Sequence, residues 1–207
     1  MPTTFAAFAG AAFLLSMVPG PSTVVILRRS VADGRRYGMA SVLGNETGVM
    51  LWGLAAAFGL SALLTASRFA YDVIRITGAV VLVWMGARAL WRARRAGRAP
   101  EAAADSASPS LRRAFWQGLV TNVANPKAGV FAVAFLPQFV PPSAPALPTL
   151  IALAVLWAVV DLVWYTPLVW LAARASALLR RPSARRRMEQ LCGTFLIALG
   201  VRLAAQP

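Results

Sequence analysis

Between residues 1 and 27 there is not one charged side chain. A run of that length can bridge the roughly 30 Å hydrocarbon core of a bilayer, which takes about 20 helical residues. Five further apolar segments follow, at residues 37–64, 69–91, 114–139, 147–173 and 188–205. Six spans use about 120 residues, so a chain of 207 residues keeps loops and little else. With 58% hydrophobic and 14% charged residues and a mean hydropathy of +0.63, the chain has no way to cover its apolar surface in water. The expected fold is all-α, a polytopic membrane protein of about six transmembrane helices in a single domain. No Lys or Arg precedes the first run, so it is expected to be a mature span rather than a cleaved leader. The sixth segment, with a dozen uncharged residues between Glu189 and Arg202, is the shortest and is expected to be tilted or shallow.

Basic residues cluster between the apolar runs. Residues 28–36 hold four Lys or Arg, residues 88–113 hold seven and residues 174–187 hold six, whereas the intervening loops hold one and none. By the positive-inside rule the first, third and fifth loops face the cytoplasm, and both termini lie outside if all six segments cross. The net charge of +14 therefore points to anionic lipid headgroups at the cytoplasmic face rather than to nucleic acid. The chain lacks histidine and has one cysteine, Cys192, which argues against metal chemistry, against His-dependent hydrolysis and against an internal disulfide. No nucleophile stands beside a base, so no enzyme activity and no cofactor are expected. Base rate alone points to a homodimer.

The first and fourth apolar segments are each interrupted, by Pro19, Gly20 and Pro21 and by Asn125, Pro126 and Lys127. The third and sixth share weakly similar glycine patterns, Gly78 with Gly86 and Gly193 with Gly200. The expectation is two three-helix repeats, residues 1–91 and 114–207, joined by a polar linker at residues 92–113. Three spans per repeat is odd, so the halves are inverted. Matching breaks in inverted halves are a sequence-level pointer to a transporter's binding site near the midplane. Ser22 and Thr23 after the first break, and Asn122 and Asn125 around the second, have the chemistry of helix caps. Gly44 and Gly48, one helical turn apart in the second segment, suit close helix packing.

Twenty of the 21 basic residues are arginine, which sets apart the one lysine. Lys127 lies about 21 Å in from Arg113, Asp161 about 20 Å in from Arg174 and Glu46 about 13 Å in from Tyr37, at about 1.5 Å per residue. Each such group costs roughly 2.5–3.5 kcal/mol to insert, so it is expected to face a cavity or a partner.

Residues 17–48, MVPGPSTVVILRRSVADGRRYGMASVLGNETG, and residues 118–139, GLVTNVANPKAGVFAVAFLPQF, resemble the LysE/RhtB family of lysine, homoserine and threonine exporters. The resemblance rests on Pro19-Gly20-Pro21 before a basic loop, the glycines Gly34, Gly38, Gly44 and Gly48, and the strings Asn125-Pro126-Lys127 and Leu136-Pro137-Gln138-Phe139. It runs over nearly the whole chain and implies a bacterial inner-membrane exporter of amino acids coupled to the proton motive force. Glu46 is not among the residues that carry it.

An amino acid is a zwitterion and needs donors for its carboxylate and acceptors for its ammonium. The expected substrate site comprises Pro19, Gly20, Pro21, Ser22, Asn125, Pro126, Lys127 and Asp161. The restarting helix ends and Lys127 would face the carboxylate, and Asp161 or Glu46 would accept the ammonium. Asp161, ahead of Glu46, is the expected proton carrier, with Trp164 nearby in the pathway. Other readings stay open at this level. Lys127 and Asp161 also suit a structural ion pair, with Glu46 satisfied by a neighbour such as Thr47. Within transport, the alternative is export of an inorganic cation. Outside transport, it is a membrane-embedded enzyme or assembly factor that uses the arginine-rich face.

Overall fold

The structure is a computed structural model that describes residues 2–66, 68–94, 110–141, 143–172, 174 and 182–205. Among these it is entirely helical: α1 (Pro2–Met17), α2 (Pro21–Ala32), α3 (Arg35–Ala66), α4 (Arg68–Arg94), α5 (Leu111–Val123), α6 (Pro126–Val130), α7 (Ala146–Trp170) and α8 (Pro182–Ala204). The α6 helix runs on through a wider π turn, Phe131–Phe135, and a tighter 3₁₀ turn, Leu136–Phe139. Each expected apolar segment falls on one of these helices or on a bent pair. Most of the expected linker, residues 95–109, lies outside the described residues.

Both expected breaks are present. The chain bends by 61° between α1 and α2 and by 55° between α5 and α6. The cause is local: Pro21 and Pro126 occupy the first turn of a new helix, where a missing N–H is harmless, but neither can extend the preceding one. By length and composition α7 can cross a membrane unaided, and each bent pair qualifies when taken as one span.

Large apolar side chains such as Leu43, Phe58, Val80, Val120 and Val163 lie exposed around the outside. In lipid such residues face the solvent they prefer, so helix association depends on close packing instead. Two glycine seams supply it. A Cβ on Gly44 of α3 would strike the carbonyl of Phe115 in α5, and one on Gly118 of α5 would strike the carbonyl of Ser41 in α3. In α4 and α8 a Cβ on Gly86 would sit 2.6 Å from the Gly193 carbonyl, and one on Gly193 would sit 2.7 Å from that of Gly86.

The core lies between α1, α3, α4, the α6 extension, α7 and α8. Its centre is aromatic. Phe131 stacks with Phe8, Phe135 and Trp157 at centroid separations of 5.8, 4.9 and 4.8 Å, and Phe139 closes on Phe8 and Phe135 at 5.2 and 5.0 Å. The π turn begins and ends with Phe131 and Phe135, both in this cluster, between one and three turns after the α6 break.

Candidate functional site

The two breaks meet. A small cavity of about 20 Å³, room for about one water molecule, is lined by Leu15 and Ser16 of α1, Ser22 of α2, Asn45 of α3, Asn122 of α5, Asn125, Lys127 and Ala128 at the α6 break, and Trp157, Asp161 and Tyr165 of α7. Ser22, Asn125, Lys127 and Asp161, all expected at a site, thus share one cavity although they come from three separate stretches of chain. Pro19, Gly20 and Pro21, also expected there, are outside the lining, although a Cβ on Gly20 would lie 3.8 Å from Lys127 Nζ. Pro126 begins α6 and is itself outside the lining.

Lys127 reaches across from one break to the other. Its Nζ donates to the carbonyls of Leu15 and Val18, at 3.1 and 3.2 Å. Those carbonyls end α1, where the chain turns away before donors for a further turn can arrive, so the ammonium sits at the negative end of a helix dipole. The expected role of Lys127, to face a carboxylate directly, therefore meets a competing set of acceptors within the protein.

The two half-helix N-termini differ. At α6 the side chain of Asn125 accepts from Lys127 N at 3.1 Å, and the Asn125 carbonyl accepts from Ala128 N and Gly129 N. The first turn is capped by the chain itself. At α2 the cap position is Gly20, which has no side chain to offer, and the first backbone bond is Val24 N to Gly20 O at 3.1 Å. The expected caps do not act as caps because Pro21 takes the first helical position and shifts Ser22 and Thr23 into the turn. Ser22 Oγ is buried without a hydrogen-bond partner, and Thr23 Oγ1 lies 3.4 Å from the Tyr165 hydroxyl.

Asp161 receives a short hydrogen bond from Ser16 Oγ, and Trp157, one turn earlier on α7, lines the same cavity. Lys127 and Glu46 both act on Asp161 electrostatically. Glu46 is buried, outside the cavity lining, and accepts from Asn45 Nδ2 at 3.0 Å; Asn45 Oδ1 in turn accepts from Asn122 Nδ2 at 3.0 Å. Thr47 does not serve Glu46: it is exposed and donates to its own helix, at Leu43 O. Gly48 makes the Asn45–Asn122 link fit, since a Cβ there would fall 2.7 Å from Asn122 Oδ1.

Ser16, Asn45, Trp157 and Tyr165 went unmarked in the sequence reading. Trp157 and Tyr165 lie four residues either side of Asp161 and share its helix face, which is the signal that could have found them. Trp164, which had been expected in the pathway, packs edge-on against Phe13 at 5.6 Å instead.

Residues 9–206 match the protein family described as LysE type translocator. The chain is 32% identical to the homoserine/homoserine lactone efflux protein of Salmonella typhimurium over 93% of its own length and 91% of that protein. It is 32% identical to the threonine efflux protein of Salmonella typhi over 90% of each chain, and 27% identical to the leucine efflux protein of an Enterobacter species over 94% and 92%. No solved structure matches. With nearly its whole length matched and its breaks, glycine seams and buried polar groups all lying inside that match, this chain belongs to the LysE type translocator family.

Proposed function

We propose that this protein exports amino acids, homoserine- or threonine-like or otherwise small, across the bacterial inner membrane by proton-coupled alternating access. The observation that carries this reading is the meeting of two bent helix pairs at one cavity that holds Ser22, Asn125, Lys127 and Asp161. Broken helices at matched positions supply free backbone groups at membrane depth, which is what a zwitterion requires. The efflux functions of similar proteins support the same conclusion.

In this reading the bent pairs α1/α2 and α5/α6 each act as one span, which with α3, α4, α7 and α8 makes six. The two halves, residues 1–91 and 114–207, are inverted repeats. Packing supports the repeat: α3 lies against α7 and α4 against α8, the two pairings an internal two-fold axis would relate to themselves. Basic loops then face the cytoplasm and its anionic lipids. Gly20 and the flanking prolines Pro19 and Pro21, with Pro126 opposite, hold the breaks open. A cavity of about 20 Å³ is far too small for an amino acid, so the helices around it must part to admit one.

Proton bookkeeping favours Asp161 as the proton carrier, with Glu46 behind it. Ser16 has one hydroxyl proton and two acceptors in reach, the Ala12 carbonyl at 2.7 Å and the Asp161 carboxyl. A protonated Asp161 can donate to Ser16 while Ser16 donates to Ala12. An ionised Asp161 accepts the Ser16 hydroxyl hydrogen bond instead, which releases the Ala12 carbonyl from that hydroxyl and carries the change to α1, about two turns before its break.

The test is efflux of a panel of labelled amino acids from cells, or uptake into inverted vesicles, with wild type and Asp161→Asn at matched abundance and the proton gradient on or collapsed. One or a few amino acids should move faster with wild type, and both the variant and the uncoupler should remove the effect. If no amino acid moves, amino-acid export is wrong. If export persists in Asp161→Asn with full gradient dependence, the proton carrier lies elsewhere.

A further inference from the structure

The two half-helix N-termini at the cavity are not equivalent, and that inequality assigns the substrate's two ends. Building on the export reading above, we infer that the carboxyl end of the substrate docks at the start of α2. There the Ser22 and Thr23 N–H groups and the Ser22 hydroxyl receive a carbonyl oxygen, and the substrate's ammonium lies toward Asp161.

Three observations lead there. The α6 terminus is closed, because Asn125 accepts from Lys127 N, Ala128 N and Gly129 N. The α2 terminus is open: Pro21 has no N–H, and the N–H groups of Ser22 and Thr23 fall in the first turn, ahead of the first bonded amide, Val24 N. Ser22 Oγ lines the cavity and has no partner although the residue is only 5% exposed. A buried hydroxyl left unpaired is destabilising, so this one calls for a ligand that completes it.

The chemistry of the subsite follows from its donors. Lys127, the cation nearest this end, directs its ammonium at Leu15 O and Val18 O. The α2 end thus offers neutral donors with that ammonium beside them, 3.8 Å from a Cβ on Gly20, and Lys127 and Ser22 line one cavity. The subsite therefore favours a carboxylate over its amide, by charge as well as by hydrogen bonds.

The test uses purified full-length protein in proteoliposomes and counterflow of the labelled amino acid that the panel identifies. Competitors are the same amino acid, its primary amide and its decarboxylated amine. In wild type the amide should compete more than about tenfold less well than the acid. Ser22→Ala should weaken the acid and the amide by about tenfold each, the loss of one hydrogen bond to a charged or polarised oxygen, and leave the amine where it was. The variant's melting temperature should be equal or higher, because an unpaired hydroxyl has been removed, so a folding defect is not an alternative explanation. An amide within tenfold of the acid in wild type overturns the inference, because the carboxyl end would then lie away from the ammonium at the start of α2. So does a Ser22→Ala variant in which acid and amine shift together, or in which neither shifts. A wild type that neither moves nor binds any amino acid overturns the export reading and takes the subsite with it.

Discussion

Replacing Lys127 with methionine keeps the length and apolar stem of the side chain and removes only its ammonium. Two hydrogen bonds disappear, at 3.1 and 3.2 Å; the Leu15 carbonyl keeps its bond from Val18 N, and both carbonyls lose the charged donor at the end of α1. Asp161 loses the neighbouring positive charge. Removing one member of a buried charged set costs about 3–5 kcal/mol, which for a protein of this size lowers the melting temperature by roughly 6–20 °C. Thermal unfolding of the purified protein in one detergent, followed by intrinsic tryptophan fluorescence, measures it. The companion variant Lys127→Met/Asp161→Asn should recover part of the loss, because it removes the uncompensated charge as well as its partner. Arginine should not rescue. The cavity beside Nζ holds about one water molecule, so the larger guanidinium has no room between the two breaks. A shift of less than about 2 °C for Lys127→Met would refute the view that this ammonium ties the two bent pairs together.

Two glycines of the family motifs should respond in opposite ways. Gly20→Ala should fold normally, since its Cβ meets only ordinary contacts, whereas Gly44→Ala should cost about 3 kcal/mol because the Cβ strikes backbone in α5; expression and melting temperature in the same detergent distinguish them. Asn125→Ala should cost about 1 kcal/mol through the lost cap on α6, visible as a melting shift of a few degrees, and should leave the acid-to-amide competition ratio of the transporter unchanged.

The breaks were legible in the sequence because proline and glycine impose backbone consequences on their own neighbours, whatever the rest of the fold does. Lys127, Asp161 and Glu46 were legible as outliers of charge within apolar runs. Their partners were not. Ser16 meets Asp161 from 145 residues away, and nothing local distinguishes that serine from one bonded to its own helix. The Asn45–Asn122 link depends on how closely α3 approaches α5, which Gly44 and Gly48 hinted at without naming the helix they would face. Nor does sequence separate a helix end that caps itself from one left open. That difference turns on a single residue of register, the one by which Pro21 pushes Ser22 and Thr23 past the cap position.

The α4–α8 seam bears on how the chain is made. Gly86 has its closest backbone contact in Gly193, about a hundred residues later, and a ribosome adding roughly 5–20 residues per second takes on the order of 5–20 s to cover that distance. If α4 spans the bilayer as proposed above, its glycine face lies against lipid for that interval, and lipid fills a flat groove poorly. The last helix is thus the lock of the assembly: a chain stopped short of Pro182 would contain every residue around the cavity and still leave α4 without the partner that fixes it in place.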